Sequence, residues 1–283
     1  KVRVSDASDA TVNDLSNLNF SIKGSLTLNA PNGTEVWIVG ATQNIQWTKG
    51  GNIANVKLEY SADGGLTWPV GNLITSSTPA DPLPADNIGT YSWTIPDAIG
   101  TQLRVRVSDA VDASVSDDSN ANFTVKGSIV VGAPNGSEVW IVGASQNITW
   151  TKTGSFASVK LEYSKNAFAD ELQTFLIAGS TPAAPLSYAW TLPDAIGATV
   201  KVRASDAADS TLVDTSNANF EIKGSLTLIA PNGTEIWRVG EARNVTWTKT
   251  GTIATVKLEY STNGGTTYPN VITASTDATT GTY

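Results

Sequence analysis

Aspartates are the residues most able to do chemistry in this chain. Asp109, Asp112, Asp117 and Asp118 crowd one short stretch, and Asp206, Asp209 and Asp214 occupy the same relative positions further on, as do Asp6, Asp9 and Asp14 before it. Several carboxylates in one loop offer hard oxygen ligands, so a Ca2+ site is one expectation for Asp109, Asp112, Asp117 and Asp118 and for Asp206, Asp209 and Asp214. The spacing is not that of an EF-hand, and aspartates are also ordinary turn formers, so turns account for the same residues. Apart from that calcium ion no cofactor is expected. A carboxylate pair could hydrolyse a glycosidic bond, but nothing distinguishes a pair. A catalytic site copied in tandem with a changing hairpin beside it would also be odd, and no enzyme is expected.

The absences narrow the chemistry further. The chain of 283 residues has no Cys, no His and no Met. The usual zinc, haem and iron–sulfur sites are therefore out of reach, as are a Cys nucleophile and a His general base. A net charge of −8 disfavours a nucleic-acid partner. No apolar run approaches the roughly twenty residues of a membrane span.

One aromatic stands out as a ligand platform. Ser61-Ala62-Asp63-Gly64-Gly65-Leu66-Thr67-Trp68 matches S-x-D-x-G-x-T-W, which resembles the Asp box of sialidase-like propellers. Mechanically that pattern is a hairpin in which Asp63 accepts from loop backbone and Trp68 covers the turn. The pattern degenerates at 261–268 and is replaced at 164–170. Trp68 is the candidate for stacking on a glycan.

The elements that must position these residues come in copies. Pro31-Asn32-Gly33-Thr34-Glu35-Val36-Trp37-Ile38-Val39-Gly40 recurs from Pro134 and again from Pro231, intervals of 103 and 97 residues. Such a period is domain-sized, well above that of solenoid repeats. Pro-Asn-Gly is turn chemistry, and the glutamate that follows (Glu35, Glu138, Glu235) is expected to bond nearby backbone or face water. The boundaries expected are 1–23 for the final strands of one module, 24–126 and 127–223 for two whole ones, and 224–283 for the front of another. Lys1 opens mid-pattern and Tyr283 aligns with Tyr91, so the chain is expected to be an interior piece that continues past Tyr283. If it does not continue, the gap could be filled by strands of a neighbouring copy. Modules meet through a single Lys-Gly at 23–24, 126–127 and 223–224, where a flexible tether would show a Gly/Ser or Pro tract. Stiff joints follow.

Within a module the apolar spacing is two. Ile148 and Trp150 alternate with polar neighbours, as do Val159, Leu161 and Tyr163, then Tyr188, Trp190 and Leu192, then Val200, Val202 and Ala204, then Phe220 and Ile222. Further strands are expected at 128–132, 138–142 and, more weakly, 172–178. One-sided alternation needs a second sheet to cover it, so the fold class is all-β, a tandem array of antiparallel Ig-like/FnIII-like β-sandwiches. With no Cys pair to clamp the sheets, Trp47, Trp150, Trp247, Trp93 and Trp190 are expected to fill the core.

Taken in order, P-N-G-[TS]-E-x-W-x-V-G, [IV]-x-W-T, V-K-L-E-Y-S, Y-x-W-T-[IL]-P-D and D-x-S-N-x-N-F-x-[IV] resemble the Kre9/Knh1-like Ig-like module of bacterial surface and secreted proteins. The inward Trp and the V-x-V-R segment also resemble fibronectin type III modules. The resemblance covers essentially the whole chain and implies an extracellular, cell-surface β-sandwich with no catalytic residues to carry over. The function expected is that of a structural segment in a stalk, fibre, filament or surface layer. Its partners would be neighbouring modules of the same chain and other copies in a self-assembled filament. The alternative is adhesion, with surface aromatics such as Trp68 recognising a glycan or a surface protein.

Overall fold

A computed structural model describes residues 1–81 and 87–283. The chain divides into two compact units, Lys1–Gly127 and Ser128–Tyr283. The fold is all-β, built from antiparallel sheets, and among the described residues there is no α-helix.

In the first unit the strands are β1 (Arg3–Ser5), β2 (Asn13–Leu15), β3 (Ser25–Ala30), β4 (Val36–Ile38), β5 (Thr42–Gly50), β6 (Asn55–Ser61), β7 (Leu73–Pro79), β8 (Ile88–Thr94), β9 (Gly100–Asp109), β10 (Ser116–Asp118) and β11 (Phe123–Lys126). One sheet has the order β3-β5-β8. The other has the order β4-β11-β9-β6-β7, with β10 hydrogen-bonded to β9. Strand β4 runs parallel to β11, so the chain that leaves the first sheet after β3 crosses at once to the edge of the second. β1 and β2 pair only with each other.

The core lies between those sheets. Leu26, Leu28, Ile45 and Trp47 face it from the first, and Val56, Leu58, Leu103, Val105, Val107, Phe123 and Val125 face it from the second, all buried. The period-two pattern places them there, because alternate side chains of a strand point to opposite faces. Trp47 is fully buried and its indole Nε1 donates to the carbonyl of Ala80 at 3.0 Å, which satisfies its one polar atom. Trp37 stands edge-on to Trp93 at 6.0 Å and packs on Phe123 at 4.9 Å, so aromatic rings from three strands close one end of the core. The Lys57 side chain points outward, partly exposed, to pair with Glu59 at 2.6 Å.

The second unit repeats this design with β12 (Ser128–Ala133), β13 (Val139–Ile141), β14 (Ser145–Thr153), β15 (Ser158–Ser164), β16 (Thr174–Pro182), β17 (Ser187–Thr191), β18 (Gly197–Asp206), β19 (Val213–Thr215) and β20 (Phe220–Lys223). Its sheets are β12-β14-β17 and β13-β20-β18-β15-β16, with β19 on β18. Trp150 is buried and donates to the carbonyl of Ala183 at 3.1 Å, and Trp140 meets Trp190 and Phe220 as Trp37 meets Trp93 and Phe123. The weaker strand expected at 172–178 begins at Thr174. Asp170 caps a short 3-10 turn first, its carboxylate accepting from the Leu172 backbone at 2.9 Å.

The rest of this unit holds β21 (Ser225–Ala230) paired with β22 (Thr246–Thr250), and β23 (Thr255–Tyr260) paired with β24 (Asn270–Asp277). Tyr283 exchanges backbone hydrogen bonds with Val245, at 3.0 and 2.9 Å, where Tyr91 pairs with Ile45 in the first unit.

Candidate functional site

The repeated Pro-Asn-Gly-x-Glu loop is a clasp. Glu35 turns back on its own loop, Oε1 accepting from the Asn32 backbone and Oε2 from Gly33, both at 2.8 Å. Glu138 and Glu235 do the same in their copies, and those backbone donors hold the Glu235 carboxyl below the usual carboxylate range. The loop so stiffened receives the segment that precedes the last strand. Ser119 Oγ donates to the carbonyl of Pro31 at 2.7 Å, and the Asn120 backbone donates to Asn32 Oδ1 at 2.6 Å. The same Ser119 hydroxyl accepts from the Val105 backbone at 3.0 Å, tying β9 into the clasp. Ser216, Asn217 and Val202 repeat all three bonds on Pro134 and Asn135. Gly33, at φ +120°, lies so close to Ala121 that a Cβ would sit 2.6 Å from the alanine methyl.

Most of the aspartates hold nearby backbone. Asp117 Oδ2 crosses between the sheets to accept from the Leu28 backbone at 2.7 Å, and Asp214 does the same for Val131. Asp109 accepts from the Val111 backbone and Asp206 from that of Ala208, while Asp112 and Asp209 each hold a hydroxyl and a backbone N–H two residues on. Asp118 faces Arg104 at 3.8 Å. Among the described residues no group of three His, Cys, Asp or Glu gathers as a metal centre. Asp118 apart, these carboxylates serve backbone N–H groups of turns and of the facing sheet.

In the hairpin at 61–68, Ser61 Oγ donates to Asp63 Oδ1 at 2.6 Å and accepts from the Gly65 backbone. Asp63 also accepts from the Thr67 backbone and hydroxyl, and these donors, Ser61 first, hold its carboxyl down at about 2. Trp68 is half-buried, one ring face covered by the Arg106 guanidinium 3.8 Å from the centroid. Phe168 and Arg203 make the corresponding pair at 4.5 Å. The arginine comes from the outer face of the V-x-V-R strand. The aromatic therefore covers its own sheet, with its other face turned away from it.

The joints place side chains between successive repeats. Lys23 ion-pairs with Asp112 at 2.8 Å and donates to Ser114, reaching a loop of the sandwich that follows it. Lys23 is the first cause of the low Asp112 carboxyl, which is held at about 2. A Cβ on Gly24 would stand 2.8 Å from the Gly50 carbonyl and from Ile53, and one on Gly224 would stand 2.6 Å from the Thr250 carbonyl. Thr252 donates to Asp194 across the second such joint. Beside it Gly251, at φ +83°, leaves a Cβ only 3.1–3.2 Å from Ile196, Asp194 and Val142.

Solved structures with similar sandwiches are fibronectin-III-like and Ig-like modules. The fibronectin(III)-like modules of CbhA from Clostridium thermocellum are 19% identical, matching 70% of this chain and 94% of theirs with a TM-score of 0.24. Titin domains Z1Z2 in complex with telethonin are 16% identical over 72% of this chain and 98% of theirs, with a TM-score of 0.22. The N-terminal four Ig domains of Dscam1 isoform 6.44 are 10% identical over 72% of this chain and 47% of theirs, with a TM-score of 0.33. No family model matches the chain. No curated protein matches it either.

Sequence reasoning passed over the residues that close the clasp, Ser119 and Asn120 with Ser216 and Asn217. Their signal was the repeated Asp-x-Ser-Asn segment itself, three short polar side chains at fixed spacing ahead of an apolar strand.

Proposed function

We propose that this chain is a structural segment of an extracellular surface protein, a stalk, fibre, filament or surface layer whose β-sandwich modules are stiffly joined. The observation that supports this reading is the packing at the joints. A tether that must swing needs free backbone, whereas Gly24 and Gly224, the first residues of their repeats, lie against a carbonyl and an isoleucine of those repeats, with no room for a methyl group. Lys23 with Asp112, and Thr252 with Asp194, add polar bridges beside them. Clasp and cross-sheet aspartate then tie the start of the sandwiches of residues 24–126 and 127–223 to the segment that leads into their last strand.

The chain has no native Cys, so labels can be placed cleanly. With spin labels at Ala208→Cys and Thr262→Cys, both at exposed positions, the interspin distance across the 223–224 joint should be narrowly distributed. Inserting Gly-Ser units after Lys223 should broaden it. A native distribution as broad as that of the insertion variant would overturn the reading.

A further inference from the structure

Four Asn-Gly pairs occur in the chain, Asn32-Gly33, Asn135-Gly136, Asn232-Gly233 and Asn263-Gly264. Such a pair is especially open to spontaneous deamidation, because glycine puts no side chain in the way of its own nitrogen. The glycine nitrogen attacks Cγ of the asparagine. The N–Cγ bond forms, the Cγ–Nδ2 bond breaks, and ammonia leaves with the proton the nitrogen carried. Water then opens the succinimide to aspartate or isoaspartate. An Asn-Gly pair is thus a modification site wherever the fold lets that ring close.

The clasp uses both residues of its pair. Gly33 stands at φ +120° and Gly136 at φ +127°, and a Cβ on either would lie 2.6 Å from the methyl of Ala121 or Ala218. Asn32 Oδ1 accepts from the Asn120 backbone at 2.6 Å, and Asn135 Oδ1 from that of Asn217 at 2.5 Å. A labile pair therefore sits where each of these sandwiches is tied shut. The glutamate that follows meets the atom that would react. Glu35, Glu138 and Glu235 each place Oε2 2.8 Å from the nitrogen of Gly33, Gly136 or Gly233, and Oε1 accepts from the asparagine's own N–H. Ring closure requires loss of the proton that this carboxylate holds, and a carboxylate beside the nitrogen opposes the negative charge that would form there. The bonds from Asn120 and Asn217 also keep the side-chain amide from swinging onto the nitrogen.

Asn263-Gly264 has different company. The residue in the glutamate's place is Thr266, which offers no carboxylate, and the Asn263 amide is held by Ser261 and Thr267 instead. An aspartate suits that hairpin. Asp63 fills the matching position at 61–68, accepting from the Ser61 hydroxyl and from the Thr67 backbone and hydroxyl.

We propose that the clasp glutamates shield Asn32, Asn135 and Asn232 from deamidation, and that Asn263 is the Asn-Gly site at which the folded chain deamidates. The test is peptide mapping by mass spectrometry of the full chain held at mildly alkaline pH, reading the mass gain of deamidation at each pair over time. In wild type Asn263 should convert first and the clasped asparagines about tenfold more slowly, the factor that one hydrogen bond to a charged group carries. Glu35→Ala should raise the rate at Asn32 by about that factor, while Asn135, Asn232 and Asn263 keep theirs. Ser119→Ala loosens the same clasp but leaves the Glu35 carboxylate on Gly33, so it should raise the Asn32 rate much less. Glu138→Ala with Ser216→Ala repeats the comparison at Asn135, each as a separate chain, so that a variant that fails to fold in one unit leaves the other to decide. Asn32 and Asn135 converting as fast as Asn263 in wild type overturns the proposal. So does an unchanged rate in the glutamate variants, or an equal acceleration in the serine variants, which would assign the protection to the fold's stability and not to the carboxylate.

Discussion

The sandwich of residues 24–126 and the open sandwich of residues 224–283 share most of their sequence motifs but not their burial. Trp47 and Trp247 are both buried, each donating its indole N–H to the carbonyl of an alanine at the end of the β7 or β24 segment. Trp37 and Trp237 are not alike: the first is enclosed by Trp93 and Phe123, and the second is exposed. These two tryptophan positions therefore belong to different parts of the fold. One is set by strands close in sequence, and the other by aromatic rings on β8 and β11, far along the chain.

The largest effects should follow that division. Trp47→Ala or Trp150→Ala empties a fully enclosed site and should destabilise its sandwich by about 3–5 kcal/mol in chemical denaturation. Trp37→Ala should fall in the same range, while Trp237→Ala, at an exposed position, should cost far less. Equal losses for Trp37→Ala and Trp237→Ala would erase the distinction between closed and open sandwich.

Next comes the cross-sheet aspartate. Asp117→Ala leaves the Leu28 backbone N–H, between the sheets, without its acceptor and should cost about 1–3 kcal/mol. Asp14→Ala at the matching position should not lower the stability of the dilute chain, because Asp14 has no facing sheet of its own. An Asp117→Ala variant as stable as wild type would mean that this bond adds nothing across the sheets.

A smaller and more local effect belongs to the joint. Gly24→Val forces side-chain atoms onto the Gly50 carbonyl and Ile53, so the backbone there must shift. Heteronuclear relaxation should show residues 1–23 gaining motion relative to residues 24–126, with little change in the melting of the latter. Unchanged relaxation would place the joint's rigidity elsewhere.

Much of this architecture was legible from period-two alternation, because a strand's facing is a local property. Trp47, Val159 and Phe220 announce themselves by their neighbours. The parallel pairing of β4 with β11 was not legible, since it joins residues some ninety positions apart and neither strand exceeds four residues. The aspartates were ambiguous for the same reason. Whether Asp117 meets a cation or the Leu28 backbone N–H depends on what the other sheet brings opposite it. Asp170 moved a strand boundary by capping a turn that alternation alone does not reveal.

The smallest expected effect separates two equivalent aspartates. Asp9 is held below the usual carboxylate range by the Thr11 hydroxyl and backbone alone. Asp112 has those same kinds of donor in Ser114, but Lys23 from the preceding repeat contributes first and brings it to about 2. A depressed carboxyl of this sort contributes stability that is fully present above its unfolded value of about 3.9. That contribution is lost as pH falls through about 2. The Lys23 bridge should therefore hold through neutral and mildly acidic pH and let go only in strong acid. Carboxyl-detected NMR titration should give Asp112 a midpoint near 2 in the native chain. In Lys23→Ala the midpoint should rise to that of Asp9 measured in the same sample, since both residues then have only turn donors. An Asp112 midpoint indifferent to Lys23→Ala would show that the two repeats do not touch there in solution, and the joint would rest on Gly24 alone.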